Sequence, residues 1–147
     1  MRNIALVTGA SSGMGKEFVR EISKKYKGLD EIWVVARRRE RLRELKKEII
    51  GTRVRILPLD LMEEESFERL KMVLAKEQPV VRILVNASGY GISGSFEHQT
   101  EEDAAGMIHL NCEALTRITY LLFIRWHLLR DLLRSRISQF MQQPKHM

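Results

Sequence analysis

Thr8, Gly9, Ser11, Ser12, Gly13, Met14 and Gly15 stand in one short stretch that follows an apolar run at residues 4–7 and leads into a helical pattern. A strand, a glycine-rich turn and a helix N-terminus in that order can hold a pyrophosphate. Gly9 permits the tight turn, Gly13 lets backbone N–H groups reach phosphate oxygens with no Cβ in the way, and Gly15 allows the helix to pack closely on the strand. The helix dipole favours the anion as well. Three glycines alone also read as an ordinary loop; the strand before them and the helix after them favour the binding turn.

Other polar positions recur at the ends of apolar runs. Arg37, Arg38 and Arg39 follow residues 32–36, Asp60 and Leu61 close residues 54–59, and Asn86, Ala87, Ser88 and Gly89 follow residues 80–85. Asn111 lies inside a later helical stretch. With the spacing Thr8-Gly9-x-x-x-Gly13-x-Gly15, this succession resembles the short-chain dehydrogenase/reductase family from residue 1 to about residue 122. The resemblance implies a dinucleotide site on the glycine turn, an adenosine ribose read at Arg37 and Arg38, and an adenine ring beside Asp60 and Leu61. It also implies a cofactor wall at Asn86, Ala87, Ser88 and Gly89, where Ala87 and Ser88 depart from the family's Asn-Asn-Ala-Gly. Asn111 sits where the family keeps an Asn that anchors its proton relay. An acid that would take the ribose 2′-hydroxyl of NAD is absent at Ala36, and arginines follow. That favours the 2′-phosphate of NADP, with NAD the weaker alternative, since a guanidinium–phosphate bond is worth roughly 1.5–3 kcal/mol. Arg38 and Arg39 read equally well as the solvated start of the second helix.

The elements that must position these residues alternate strand and helix without repeats or linkers, the pattern of an α/β parallel sheet with helices on both faces. The first helix is expected from about Gly13 to Lys27, burying Phe18, Val19 and Ile22 and stopped by Gly28. The second carries Leu42, Leu45, Ile49 and Ile50 and ends at Gly51. The third follows Asp60, with Glu63, Glu64 and Glu65 at its positive end and Phe67, Leu70, Val73 and Leu74 inward; Pro79 marks entry to the fourth strand. Right-handed crossovers predict a Rossmann-type strand order 3-2-1-4, with the crevice at the carboxyl ends of strands 1 and 4.

Composition bounds the class. The 147 residues carry 25 Lys and Arg against 19 Asp and Glu, for a net charge of +6. Residues 123–147 hold +4 of that, so the cofactor part is nearly neutral and a nucleic-acid partner is not expected. The single Cys112 excludes an internal disulfide and is expected to pack in a helix. His98, His109, His127 and His146 lack metal spacing, no run is long enough for a membrane span, and no signal peptide is evident, which makes the cytoplasm the expected location.

Family members complete their site with a Ser and a Tyr-x-x-x-Lys. Four residues on from Tyr26, Tyr90 and Tyr120 stand Asp30, Gly94 and Ile124, so the chain has no such motif. After Leu122 the resemblance stops, and Leu128, Leu129, Leu132, Leu133, Ile137 and Phe140 predict a long basic helix instead. Reverse translation offers a reason. Reading codons one base earlier, residues 140–145 permit Tyr-Ala-Ala-Ala-Lys and residues 125–128 permit Met-Ala-Ser, about the family's spacing apart. The expectation is an incomplete dinucleotide-binding domain at 1–122 followed by a tail, 123–147, from a displaced reading frame, with a fifth strand lost between them.

Two functions follow. One is an NADP-dependent oxidoreductase by ancestry, whose intact form acted on a small carbonyl or alcohol and whose present chain is inactive. The other is a non-catalytic nucleotide-binding or protein-interaction module. A partner helix should show one apolar face, yet Phe123, Ile124, Trp126, Leu128 and Leu129 spread around the tail. Without a fifth strand the apolar fourth strand is an exposed edge, and a homo-oligomer or aggregate through it is expected.

Overall fold

A computed structural model describes residues 1–141, and Gln142, Pro144, Lys145 and the rest of the hidden-frame reading at the C-terminus lie outside them. In chain order the elements are β1 (Asn3–Thr8), α1 (Gly13–Lys25), β2 (Glu31–Ala36), α2 (Arg39–Glu48), β3 (Arg53–Pro58), α3 (Glu64–Glu77), β4 (Val80–Asn86), α4 (Glu101–Ile108), a π turn (His109–Ala114) and α5 (Leu115–Met141). The strands pair in parallel in the order β3-β2-β1-β4, as the alternating pattern predicts. Val7 of β1 stands beside Val34 of β2 and Val85 of β4.

Strand alternation divides the core in two. Ala5, Val7, Ile32, Val34 and Val54 face α1 and α2, which bury Val19, Ile22, Leu42 and Leu45 against them. Ile4, Leu6, Trp33, Val35 and Leu57 face the opposite way, onto Phe67, Leu70 and Leu74 of α3 and Ile118 and Leu122 of α5. With both faces covered, β1 and β2 are fully inside, which is why their sequences are continuous apolar runs. Arg117 ties α5 to α3: it donates to Glu64 Oε1 at 2.7 Å, and its guanidinium lies 4.0 Å from the centre of the Phe67 ring.

Several side chains depart from the sequence expectation. α1 ends at Lys25 with Tyr26 as its cap, before Gly28, and Phe18 is 47% exposed. The stripe that reaches the sheet is Val19 and Ile22, and Phe18 falls one step off it. α2 ends at Glu48, so Ile50 lies beyond the helix and is exposed, next to Gly51 at φ 86°. Cys112 is exposed rather than packed, because the π turn that carries it directs Ala114 to the core. The long C-terminal helix is present, and α5 runs without interruption through residue 122, so the expected boundary between domain and tail falls inside one helix of 27 residues. Phe123, Ile124 and Leu128 are exposed on it. Among the described residues, no helix is long and apolar enough to cross a membrane.

Candidate functional site

Where the strands reach their carboxyl ends, a cavity of about 320 Å³ opens above the sheet. Gly9, Ser11, Ser12, Gly13 and Met14 line it from the β1–α1 turn, Arg37 and Arg38 from the end of β2, Asp60 and Leu61 from the end of β3, and Ala87, Ser88 and Gly89 from the end of β4. Four loops that are distant in sequence thus meet because parallel strands all end on the same side.

The glycines divide the labour of the turn. Gly9 has φ 65°, and a Cβ there would run into the Ala87 carbonyl, with the Ser88 nitrogen only 2.7 Å away. Gly15 is equally closed, against the Gly9 carbonyl, so it permits helix α1 to sit on the turn. Gly13, at φ 54°, faces open space. Its role is conformational: it leaves the cavity side of the turn unobstructed. The N-terminus of α1 is prepared for an anion in two further respects. Ser12 is its N-cap without a side-chain hydrogen bond to the helix, and no acid stands in the first turn. The first N–H groups therefore remain available to a ligand. α4 shows the contrast, since Thr100 and Asp103 close its N-terminus reciprocally in a capping box.

Thr8, Gly15, Asn86 and Asn111 are the sequence-selected residues that do not line the cavity. Thr8 is buried, and its Oγ1 accepts from the Ala87 N–H at 3.1 Å and the Ser88 N–H at 3.2 Å, fixing one wall to the floor. Asn86 donates through Nδ2 to Thr119 Oγ1 at 3.0 Å, which holds the end of β4 to α5; its buried Oδ1 has no partner among the described residues. Asn111 sits in the π turn and grips the backbone of Tyr90, accepting its N–H at 3.0 Å and donating to its carbonyl at 2.8 Å. Asp60 shapes its own loop by accepting the Met62 N–H at 3.0 Å, and its other oxygen lies 4.0 Å from the Arg37 guanidinium. Arg37 is largely exposed on the cavity rim, and Arg38 is the N-cap of α2 while also lining the cavity. Arg38 thus stands at the start of α2 and on the cavity at once. Arg39 opens α2 and is not among the lining residues.

Ala36, Leu59 and Leu110 complete the lining, and sequence reasoning nominates none of them as a cofactor contact. Ala36 and Leu59 end the apolar runs, so their position before Arg37 and Asp60 is a signal that could have found them. Leu110 carries no such signal, because only the π turn brings it to the cavity.

Comparison with known proteins agrees with this arrangement. The short chain dehydrogenase family matches residues 3–127, into α5. The very-long-chain 3-oxoacyl-CoA reductase of Eremothecium gossypii is 36% identical over 121 residues, covering 78% of this chain and 33% of that protein. The NADP-dependent 3-hydroxy acid dehydrogenase YdfG of Escherichia coli K12 is 34% identical over 118 residues, covering 79% of this chain and 46% of that one. Among solved structures, a short-chain dehydrogenase from Sphingobium yanoikuyae in complex with NADPH superposes with a TM-score of 0.73 at 30% identity, over 86% of this chain and 48% of its own. The chain thus spans between a third and a half of the length of the curated relatives it matches. With the sheet order, the glycine turn and the four-loop cavity in agreement with these matches, the chain belongs to the short chain dehydrogenase family.

Proposed function

We propose that the cavity binds NADP(H), and that this chain is the cofactor-binding part of an oxidoreductase acting on a small carbonyl or alcohol. The observation that carries the cofactor reading is Arg37 and Arg38 on the cavity rim directly after Ala36, with no carboxylate at that place to take a ribose 2′-hydroxyl. The residues present suit a dinucleotide. Ser11, Ser12 and Gly13 at the uncapped start of α1 would hold the pyrophosphate, Arg37 and Arg38 the 2′-phosphate, Asp60 and Leu61 the adenine, and Ala87, Ser88 and Gly89 the wall beside them. When bound, the cofactor supplies or takes the hydride. Support for the NADP form comes from the similar Escherichia coli protein, named as NADP-dependent, and from the NADPH complex of the Sphingobium structure. The relatives' names, an oxoacyl reductase and a hydroxy acid dehydrogenase, support a carbonyl or alcohol substrate.

Fluorescence titration tests the cofactor assignment. NADPH should bind more tightly than NADH, and Arg37→Ala should remove most of the difference, roughly 10-fold or more if one charge-assisted bond to phosphate is lost. Equal or tighter binding of NADH by the wild-type chain sinks the assignment.

The 147-residue chain is proposed to bind without turnover. It has no Tyr-x-x-x-Lys, and Asn111, the family's relay residue, is engaged with the Tyr90 backbone. Positioned acid–base groups contribute roughly 10²–10⁴-fold, so NADPH oxidation with ketones and aldehydes should stay at background. The exposed Phe123, Ile124 and Leu128 on α5 keep a second reading open, a nucleotide-binding interaction module without chemistry. Clear turnover eliminates that reading along with the proposed inactivity.

A further inference from the structure

The wall of the cavity at residues 87–89 is held at both ends, and the second anchor is an aromatic side chain to which neither the family motif nor the cavity lining assigns a part. At one end, Thr8 Oγ1 takes the Ala87 and Ser88 N–H groups. At the other, Asn111 takes both backbone groups of Tyr90, and Gly89 between them is so close that a Cβ would stand 2.9 Å from Asn111 Oδ1. The Tyr90 side chain continues away from the cavity onto α4. A Cβ at Gly106 would collide with Tyr90 Oη, and Met62 Cε, from the loop after β3, lies 3.7 Å from the same point.

Gly106 stands inside α4, where glycine weakens a helix relative to alanine. The space taken by the phenol gives it a packing reason. α4 needs such a contact, because none of its own residues is buried. Tyr90 is 40% exposed, so it is not a core residue whose loss would unfold the chain.

We propose that Tyr90 is a positioning residue: its phenol, with the oxygen end set against Gly106, latches the Ser88–Gly89 wall to α4 and so fixes the width of the cavity on its β4 side. Gly89 gives the wall no stiffness of its own, so the positions of its anchors decide where it stands. Thr8 fixes the wall to the sheet, Asn111 holds the Tyr90 backbone, and the Tyr90 side chain fixes it to α4. As a statement about cofactor affinity the proposal rests on the NADP(H) reading of the cavity; as a statement about the wall it does not.

Two readouts separate these cases in the 147-residue chain. Amide hydrogen exchange at Ser88, Gly89 and Tyr90 should accelerate at least about 10-fold in Tyr90→Ala and in Gly106→Ala, as expected when a local opening becomes easier, with β1 and α1 amides unchanged. Tyr90→Phe, which keeps the ring but lacks the oxygen that meets Gly106, should exchange at a rate between wild type and Tyr90→Ala. NADPH affinity should fall roughly fivefold in the first two variants and less in the third. Unchanged exchange in both Tyr90→Ala and Gly106→Ala overturns the latch, as does acceleration spread over the whole chain, which would make the contact a general stabiliser. Faster exchange with NADPH affinity intact overturns the positioning role. Should the wild-type chain not bind NADPH at all, the cofactor reading fails and exchange alone decides the latch.

Discussion

The two edges of the sheet are built on opposite principles. β3 ends the sheet with charge: Arg53 points out and reaches Glu31 Oε1 at 3.4 Å, and Arg55 lies 4.6 Å over the Trp33 ring and pairs with Glu77 at 3.0 Å. Pro58, without an N–H, closes it. β4 ends the opposite side with Val80, Val81, Ile83, Leu84 and Val85, interrupted by Arg82 alone. Arg82 sits at a register shift against β1 and donates to Asn3 Oδ1 at 2.9 Å. Val81 and Leu84 on the α5 side of β4 and Ile83 and Val85 on the other are all only partly buried, and Phe18 of α1 is exposed. Charged and proline-bearing edges resist pairing with other chains, and flat apolar ones invite it. β3 is therefore a finished edge, while β4 has the composition of an interior strand in an edge position.

The largest effect that this contrast predicts is on assembly. The chain should self-associate at micromolar concentrations through β4, and Ile83→Lys should yield a monomer, since an inward charge is a standard obstacle to edge pairing. A wild-type chain that runs as a clean monomer in light scattering, with β4 amides protected from exchange, would break the comparison.

On the β3 side the expected effects are on stability. Glu31 is buried, accepts the Trp33 indole N–H at 2.7 Å, and pairs with Arg2 and Arg53. Glu31→Ala should cost about 2 kcal/mol in urea unfolding, because it leaves the buried Trp33 indole N–H without its acceptor and takes one partner from Arg2, which keeps Glu77, and from the exposed Arg53. Burial alone would push its carboxyl up; the indole hydrogen bond and the two arginines outweigh that and hold it below the usual carboxylate range. A folded-state pKa below the unfolded one gives stability that is present above the unfolded value, about 4.3, and is lost as pH falls through the folded value. Glu31→Gln should flatten the acid limb of the stability curve. An acid limb identical to wild type would show that the carboxylate does not carry this edge.

Smaller effects test how β4 is held. Arg117→Ala removes the Glu64 pair and the contact over Phe67 and should cost about 1 kcal/mol, loosening α5 over β4. No change in unfolding midpoint would mean that the apolar contacts of Ile118 and Leu122, with the Asn86–Thr119 hydrogen bond, suffice to seat the helix. Smallest of all, Phe18→Gln should shift stability by less than about 0.5 kcal/mol, as for other exposed positions, while improving solubility. A loss of about 2 kcal/mol or more would place Phe18 in a packed interface.

Much of the cavity is legible in the amino-acid sequence because its parts depend on local chemistry. A turn that needs positive φ at Gly9 and Gly13 announces itself by glycine, and a strand buried on both faces by an unbroken apolar run such as residues 32–36. Strand order follows from crossover handedness, and the Arg37–Arg38 rim from its place after the second run. These properties travel with a few adjacent residues.

What the tertiary structure alone decided concerns pairs that are far apart in sequence. Phe18 and Ile50 are as apolar as Val19 and Leu45, yet Phe18 falls off the stripe by which α1 meets the sheet and Ile50 lies beyond the end of α2, which leaves both outside. Thr8 opens the glycine turn, and its hydroxyl clamps the wall at Ala87 and Ser88, 79 and 80 residues away. Leu110 enters the cavity through a π turn that no residue pattern announces, and Gly106 acquires its reason only from the Tyr90 ring that lies on it. Burial and close approach are properties of two surfaces at once, so a sequence can nominate each residue but not say which distant partner will meet it.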